Sequence, residues 1–167
     1  DSSDDVVVVT KAFVDQDGND ISPYRFRALW EDPTTGNVWV CHSSGVFYFD
    51  PDSFFKGGTV NMTRVKISRN DGTNLADYLL DGVTVYGITT DGAGRKWFAS
   101  AGGLVCTSSD GRTVEEQINT SNSPIPSDPV YGVIYQPSSN SLLMSTSEGI
   151  AEYYLTAEAA SSGDGNL

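Results

Sequence analysis

A single histidine, His42, and 22 acidic side chains are the raw material this 167-residue chain offers for acid/base or nucleophilic chemistry. A Ser/His/Asp triad takes its base from an imidazole, so any triad here would have to be built on His42. That residue falls in a turn after Val38, Trp39, Val40 and Cys41, at a place filled by Ser100 and Thr146 in two similar stretches, and it reads as one polar turn residue among three. Paired carboxylates are the other route, as in glycoside hydrolysis. Most of the acids stand in turns, among them Asp32, Asp50, Asp52, Asp71, Asp91, Asp110 and Asp128, and are expected to be solvated. Asp15, Asp17 and Asn19 place oxygens at alternate positions as calcium loops do. The EF-hand pattern also needs Gly sixth and Glu twelfth, where Asp20 and Phe26 stand, so an acidic hairpin turn is the reading. One histidine excludes a His-rich metal centre. No catalytic residue, metal ligand or cofactor is assigned.

Composition narrows the partners. The formal net charge of −12 opposes nucleic-acid phosphates and anionic lipid heads. No run approaches the roughly 18 apolar residues of a membrane span. The opening Asp1, Ser2, Ser3, Asp4, Asp5 lacks the basic and apolar regions of a signal peptide, so a leader is expected outside this stretch. Cys41 and Cys106 fall at different places in the repeated pattern and are expected to be buried free thiols.

The elements that position these residues are written three times. Trp39 stands six residues before Gly45, Trp97 six before Gly103, and Leu143, in the Trp place, six before Gly149. Spacings of 58 and 46 residues between copies fit propeller blades or solenoids. Apolar runs at 26–30, 85–88 and 130–135 precede each hairpin across turns rich in Asp, Gly, Pro and Asn. A third run follows each hairpin, at 46–49, 104–106 and 150–154, and a fourth of mixed character follows twice, at 60–67 and 112–118. Four strands per unit is the blade of a β-propeller.

The fold expected is therefore all-β: a partial β-propeller of about three blades of four-stranded antiparallel sheet. Residues 1–21 hold the outer strand, over 6–14, of a preceding blade cut short. Residues 22–70 form a blade, and 71–120 a second with an inter-blade loop. The last blade, 121–156, lacks its outer strand, and 157–167 make a flexible acidic linker. Residues 74–80 alone carry helical spacing, and an ordered loop is preferred there.

Val38, Trp39, Val40, Cys41, His42 with Ser44, Gly45, Val46, and Lys96, Trp97, Phe98, Ala99, Ser100 with Gly102, Gly103, Leu104, resemble the two-component regulator propeller repeat. Its signature runs apolar, Trp, apolar, Gly, Thr, then Gly and an aliphatic; His42, Ser100 and Leu143 depart from it. The stretches 69–82 and 122–127 resemble the last propeller of the surface-attachment proteins of the type IX secretion system in Bacteroidetes. That resemblance implies the final blades of a seven-bladed wheel followed by a sandwich domain, in a periplasmic or cell-surface protein. It hands over no ligand residue.

Propeller ligands bind where loops of several blades meet at one mouth of the channel. Tyr24, Arg25, His42, Ser43, Asp81, Asp128 and Glu148 are the binding candidates on that ground. The expected role is noncatalytic recognition of a glycan or protein ligand within secretion and attachment machinery. Two alternatives stand beside it: a periplasmic sensor segment of a hybrid two-component system, and a carbohydrate-active enzyme fragment. An arc also leaves sheet faces and edges uncovered, so self-association is expected.

Overall fold

A computed structural model describes residues 2–22, 25–54, 58–69, 72–73 and 76–155 and shows the all-β arc. After a short β1 (Phe13–Val14), the first blade lays down β2 (Phe26–Glu31), β3 (Val38–His42) and β4 (Gly45–Phe49). One helical turn, α1 (Pro51–Phe54), leads to β5 (Val60–Asn61), which pairs parallel with β1, and then to the outer strand β6 (Thr63–Arg64). A ribbon of β7 (Lys66–Ser68) and β8 (Ala76–Tyr78) links the blades. The second blade runs β9 (Val85–Thr90), β10 (Lys96–Ser100), β11 (Gly103–Thr107), β12 (Val114–Ile118), all antiparallel neighbours. The third has β13 (Val130–Gln136), β14 (Ser141–Thr146) and β15 (Gly149–Tyr154), with no fourth strand among the described residues.

Three stretches differ from the sequence reading. Of the strand expected over 6–14, only β1 forms, because a ladder exists only where β5 lies alongside; Val6 to Val9 stay exposed. The single outer strand expected over 60–67 is broken into β5, β6 and β7, each serving a different neighbour: β1, β4 and β8. Neither a helical turn nor a plain loop occupies 76–78, where β8 pairs with β7; residues 74 and 75 lie outside the described residues, as does the linker at 157–167.

Period-2 alternation sends successive side chains to opposite faces, and each face meets a different blade. Trp39, Cys41 and Val46 pack with Val85, Ile88 and Phe98 of the second blade. Trp97, Ala99 and Leu104 repeat this against Val130, Val133 and Met144 of the third. The tryptophans thus pack blade on blade, as their repetition implies. On the far side of the first blade, Val40, Phe47 and Phe49 pack with Phe13, Ile21, Val60 and Met62.

The repeated glycine has a physical cause. Gly45, Gly103 and Gly149 open the third strand of each blade at φ of 134°, 112° and 121°, a region that suits glycine alone. A Cβ on Gly103 would lie 2.1 Å from the Ile118 carbonyl oxygen and one on Gly45 3.1 Å from that of Leu80, whereas nothing stands within 4 Å of Gly149.

Two turn carboxylates expected in solvent are buried. Asp32 and Asp91 each accept N–H bonds from their own turn, Asp32 from Thr34 (2.9 Å) and Asp91 from Ala93 (2.9 Å). Backbone donors replace the water such a group would need. Cys41 and Cys106 are buried free thiols, and burial pushes both up to about 12.

Candidate functional site

In each blade the loop entering the inner strand meets the turn between the second and third strands. Ser43 N–H donates to the Arg25 carbonyl (2.9 Å) and Arg25 N–H to Ser43 Oγ (3.1 Å). In the second blade Ala101 N–H donates to the Thr84 carbonyl (2.9 Å), and in the third Ser127 Oγ lies 3.3 Å from Ser147 Oγ. The first two blades are stitched together at the same end, Thr84 Oγ1 donating to the Ser43 carbonyl (3.0 Å) and Gly82 N–H to that of Ser44 (3.1 Å). These loops make one rim.

The rim gathers most of the expected residues. Arg25 and Ser43 are in direct contact, and Asp81 is next in sequence to Gly82, its carboxylate held by Arg64 at 2.6 Å. Arg64 is itself buried beneath, stacked 3.9 Å over the Tyr78 ring. Asp128 and Glu148 flank the Ser127 and Ser147 pair; Asp128 accepts from the Thr120 hydroxyl and N–H, which hold its carboxyl below the usual range. Tyr24 lies outside the described residues.

His42 differs from its expected place. It ends β3, fully buried, stacked 4.0 Å from Phe47, and its Nδ1 accepts the Ser44 N–H at 3.0 Å. Ser100 Oγ accepts from Gly102 N–H (3.2 Å) and Thr146 Oγ1 from Glu148 N–H (3.1 Å). Three different side chains thus do one job, capping the turn. The lone pair a general base would offer is already committed in His42. Burial first, and the charge of Arg64 second, push its imidazole down to about 3.

The acidic turn at Asp15 is likewise self-satisfied. Asp15 Oδ1 accepts the N–H groups of Asp17 and Asn19, both at 2.9 Å, and the Asn19 amide donates to both carboxylate oxygens. Among the described residues no group of three or more His, Cys, Asp or Glu is placed to hold a metal.

One feature escaped the sequence reading. Every inner strand carries a β-bulge near its start: pairing jumps from Phe26 to Ala28, from Val85 to Gly87 and from Val130 to Gly132. The skipped residues are Arg27, Tyr86 and Tyr131. Bulges re-aim a side chain out of the alternating pattern. Here they create a row, with the Arg27 guanidinium 5.6 Å from the Tyr86 ring centre and the Tyr86 and Tyr131 rings 5.1 Å apart, edge to face at 75°. Arg27 and Tyr131 are exposed. A signal existed: these residues stand 12, 11 and 12 places ahead of Trp39, Trp97 and Leu143. Such a row offers flat apolar faces beside a cation with five donors.

The sheets and their rim define an arc of a β-propeller, and the comparisons with known proteins agree. The chain is similar to PorZ, described as an essential bacterial surface component of the type IX secretion system of Porphyromonas gingivalis. That likeness has 25% identity and a TM-score of 0.78 over 92% of this chain and 20% of that one. Extracellular domains of two hybrid two-component systems from B. thetaiotaomicron share the fold, with TM-scores of 0.57 and 0.59 and identities of 17% and 16%. They are matched over 77% and 78% of this chain and 17% and 16% of theirs. The chain therefore spans about a fifth or less of the solved structures it matches. No family model matches it, and no curated protein does. The two resemblances read from the repeats and the spacer are matched by these structures. Among the described residues no helix is long and apolar enough to cross a membrane.

Proposed function

We propose that this chain is a noncatalytic recognition module of an exported bacterial protein, serving type IX secretion and surface attachment by holding a polysaccharide at the mouth of its propeller. The row of Arg27, Tyr86 and Tyr131 carries this reading. Its rings can stack on the apolar faces of successive sugars while the rim donors at Arg25 and Ser43 take hydroxyl groups. The likeness to PorZ supports the secretion context and a periplasmic or cell-surface location.

Titrating bacterial surface polysaccharides against the chain, followed by calorimetry, tests the site. Tyr131→Ala should weaken binding about fivefold, the equivalent of roughly 1 kcal/mol of stacking. Equal affinity in that variant, with binding retained, would move the site elsewhere; absence of any glycan binding would remove the reading. Sugar turnover lost on replacing one carboxylate would point to an enzyme instead.

A second reading rests on the shared fold of the two-component extracellular domains: a periplasmic sensor segment taking glycan fragments on the same row. Preference for short oligosaccharides over polymer in the same titration would favour it.

A further inference from the structure

The row of Arg27, Tyr86 and Tyr131 has a shape as well as a chemistry. Its tyrosines stand in matching contexts, Val85, Tyr86, Gly87, Ile88 and Val130, Tyr131, Gly132, Val133, so each bulged ring is followed by a residue without a side chain. The two glycines lie back to back. A Cβ on Gly87 would already be in contact with Gly132 Cα, at 4.0 Å, so a side chain larger than a methyl there would wedge β9 from β13. Ala28 holds the corresponding place in the first blade. The inner strands thus converge at the bulges, and convergence brings the Tyr86 and Tyr131 rings to 5.1 Å, edge to face. Resting on the glycan-binding reading above, we infer that this corner selects glycans whose chain turns sharply from one sugar to the next, and keeps flat ribbons from lying across the row.

Ring planes 75° apart cannot both lie beneath one flat surface. A sugar pressed on one ring finds the other standing across its path, with only 5.1 Å between the ring centres. Its neighbour in the glycan reaches the second ring when the chain turns through a similar angle. The blades impose the same demand. Each member of the row belongs to a different sheet, and in a propeller of about four to eight blades each sheet is rotated from the last by roughly 45° to 90°. A ligand that follows the row follows that rotation.

Linkage decides which glycans can do so. In a cellulose-type glucan the links are all equatorial, alternate sugars are flipped, and the apolar faces stay in one plane; such a ribbon can lie on one ring of the corner but not on both. In an amylose-type glucan an axial link turns every sugar from the last in the same sense. The chain curves, and neighbouring apolar faces point in different directions, as the two rings do. At the far end of the row the exposed Arg27 guanidinium, 5.6 Å from the Tyr86 ring centre, offers its planar fork to a pair of hydroxyls on the sugar leaving the corner.

Maltohexaose and cellohexaose test the corner, since they share composition and length and differ in linkage alone. Calorimetry on the 167-residue chain should show maltohexaose binding about fivefold more tightly, the equivalent of the one ring contact a ribbon forgoes. Tyr86→Ala opens the corner and leaves Tyr131 as a lone platform, so the preference should fall to within about twofold. Tyr86→Phe keeps the ring and its angle and should keep the preference; circular dichroism checks that both variants are folded. Equal or tighter binding of cellohexaose would overturn selection by shape and leave glycan recognition standing. Indifference to both hexasaccharides in a chain that still binds a surface polysaccharide would do the same, because selection would then lie in the substituents of the sugars. A preference that survives Tyr86→Ala in a folded variant would overturn the role of this corner. Failure to bind any glycan would remove the recognition reading itself, and the selection with it.

Discussion

The two interfaces between blades use the same register positions and solve their polar problem in opposite ways. Between the first and second blades, Lys96 is buried, donating to Asp32 Oδ2 at 3.0 Å and to the Ser109 carbonyl, with Trp30 and Trp39 rings 5.6 and 5.1 Å away. Between the second and third, Leu142 takes the place of Lys96, and the matching carboxylate, Asp91, turns back to its own Trp97 Nε1 (2.9 Å) and Arg95 (2.9 Å). The turn-capping job of the aspartate is common to both. Only the free oxygen differs, reaching across an interface in one case and staying home in the other. A repeat therefore reports what the backbone demands at a position, while the partner across the gap is chosen separately at each interface.

Removing Trp97 should break the apolar interface most severely. Trp97→Ala leaves a void and takes one hydrogen bond from Asp91, a loss of about 4 kcal/mol, read as the midpoint of chemical denaturation. Lys96→Ala should cost about 3 kcal/mol, because Asp32 keeps its charge in a buried place. Replacing both, Lys96→Met with Asp32→Asn, should recover all but about 1 kcal/mol; failure to recover would mean that packing rather than pairing holds this interface. Burial works to raise the Asp32 carboxyl, but hydrogen bonds from Thr34 and Lys96 hold it at about 2, so the pair persists until strongly acidic pH.

The glycines sharpen the contrast between complete and incomplete blades. Gly103→Ala should cost about 3 kcal/mol through backbone strain and the clash with Ile118, and Gly149→Ala only about 1 kcal/mol. Equal costs would show that the close carbonyl adds nothing. The smallest effect at neutral pH belongs to His42. Its imidazole takes up a proton near 6.5 when unfolded but near 3 when folded, so between those values only the unfolded chain gains one. Stability is thus full above about 6.5 and falls as pH drops toward about 3. His42→Ser should keep the turn cap and flatten that slope, measured as melting temperature against pH.

The blades were legible because a tryptophan and a glycine six residues apart recur where packing and φ admit few substitutes. The bulges were not, since strand reading by alternation assumes one residue opposite one, and Arg27, Tyr86 and Tyr131 are the residues that violate it. Lys96 was equally opaque: a lysine in an apolar run reads as an exposed residue, and its partner Asp32 lies 64 positions away. His42 was read correctly as a variant of Ser100 and Thr146, but its burial under Phe47 depends on a stacking contact no spacing announces.

Each member of the row Arg27, Tyr86, Tyr131 belongs to a different sheet. An array of repeats is ordinarily held by nearest-neighbour terms, and its units can loosen one at a time. A polymer lying across the three would add a coupling that skips over the middle unit, turning stepwise opening into an all-or-none event. Occupancy would then be visible as cooperativity of unfolding, a mechanical readout written into the position of three bulged residues.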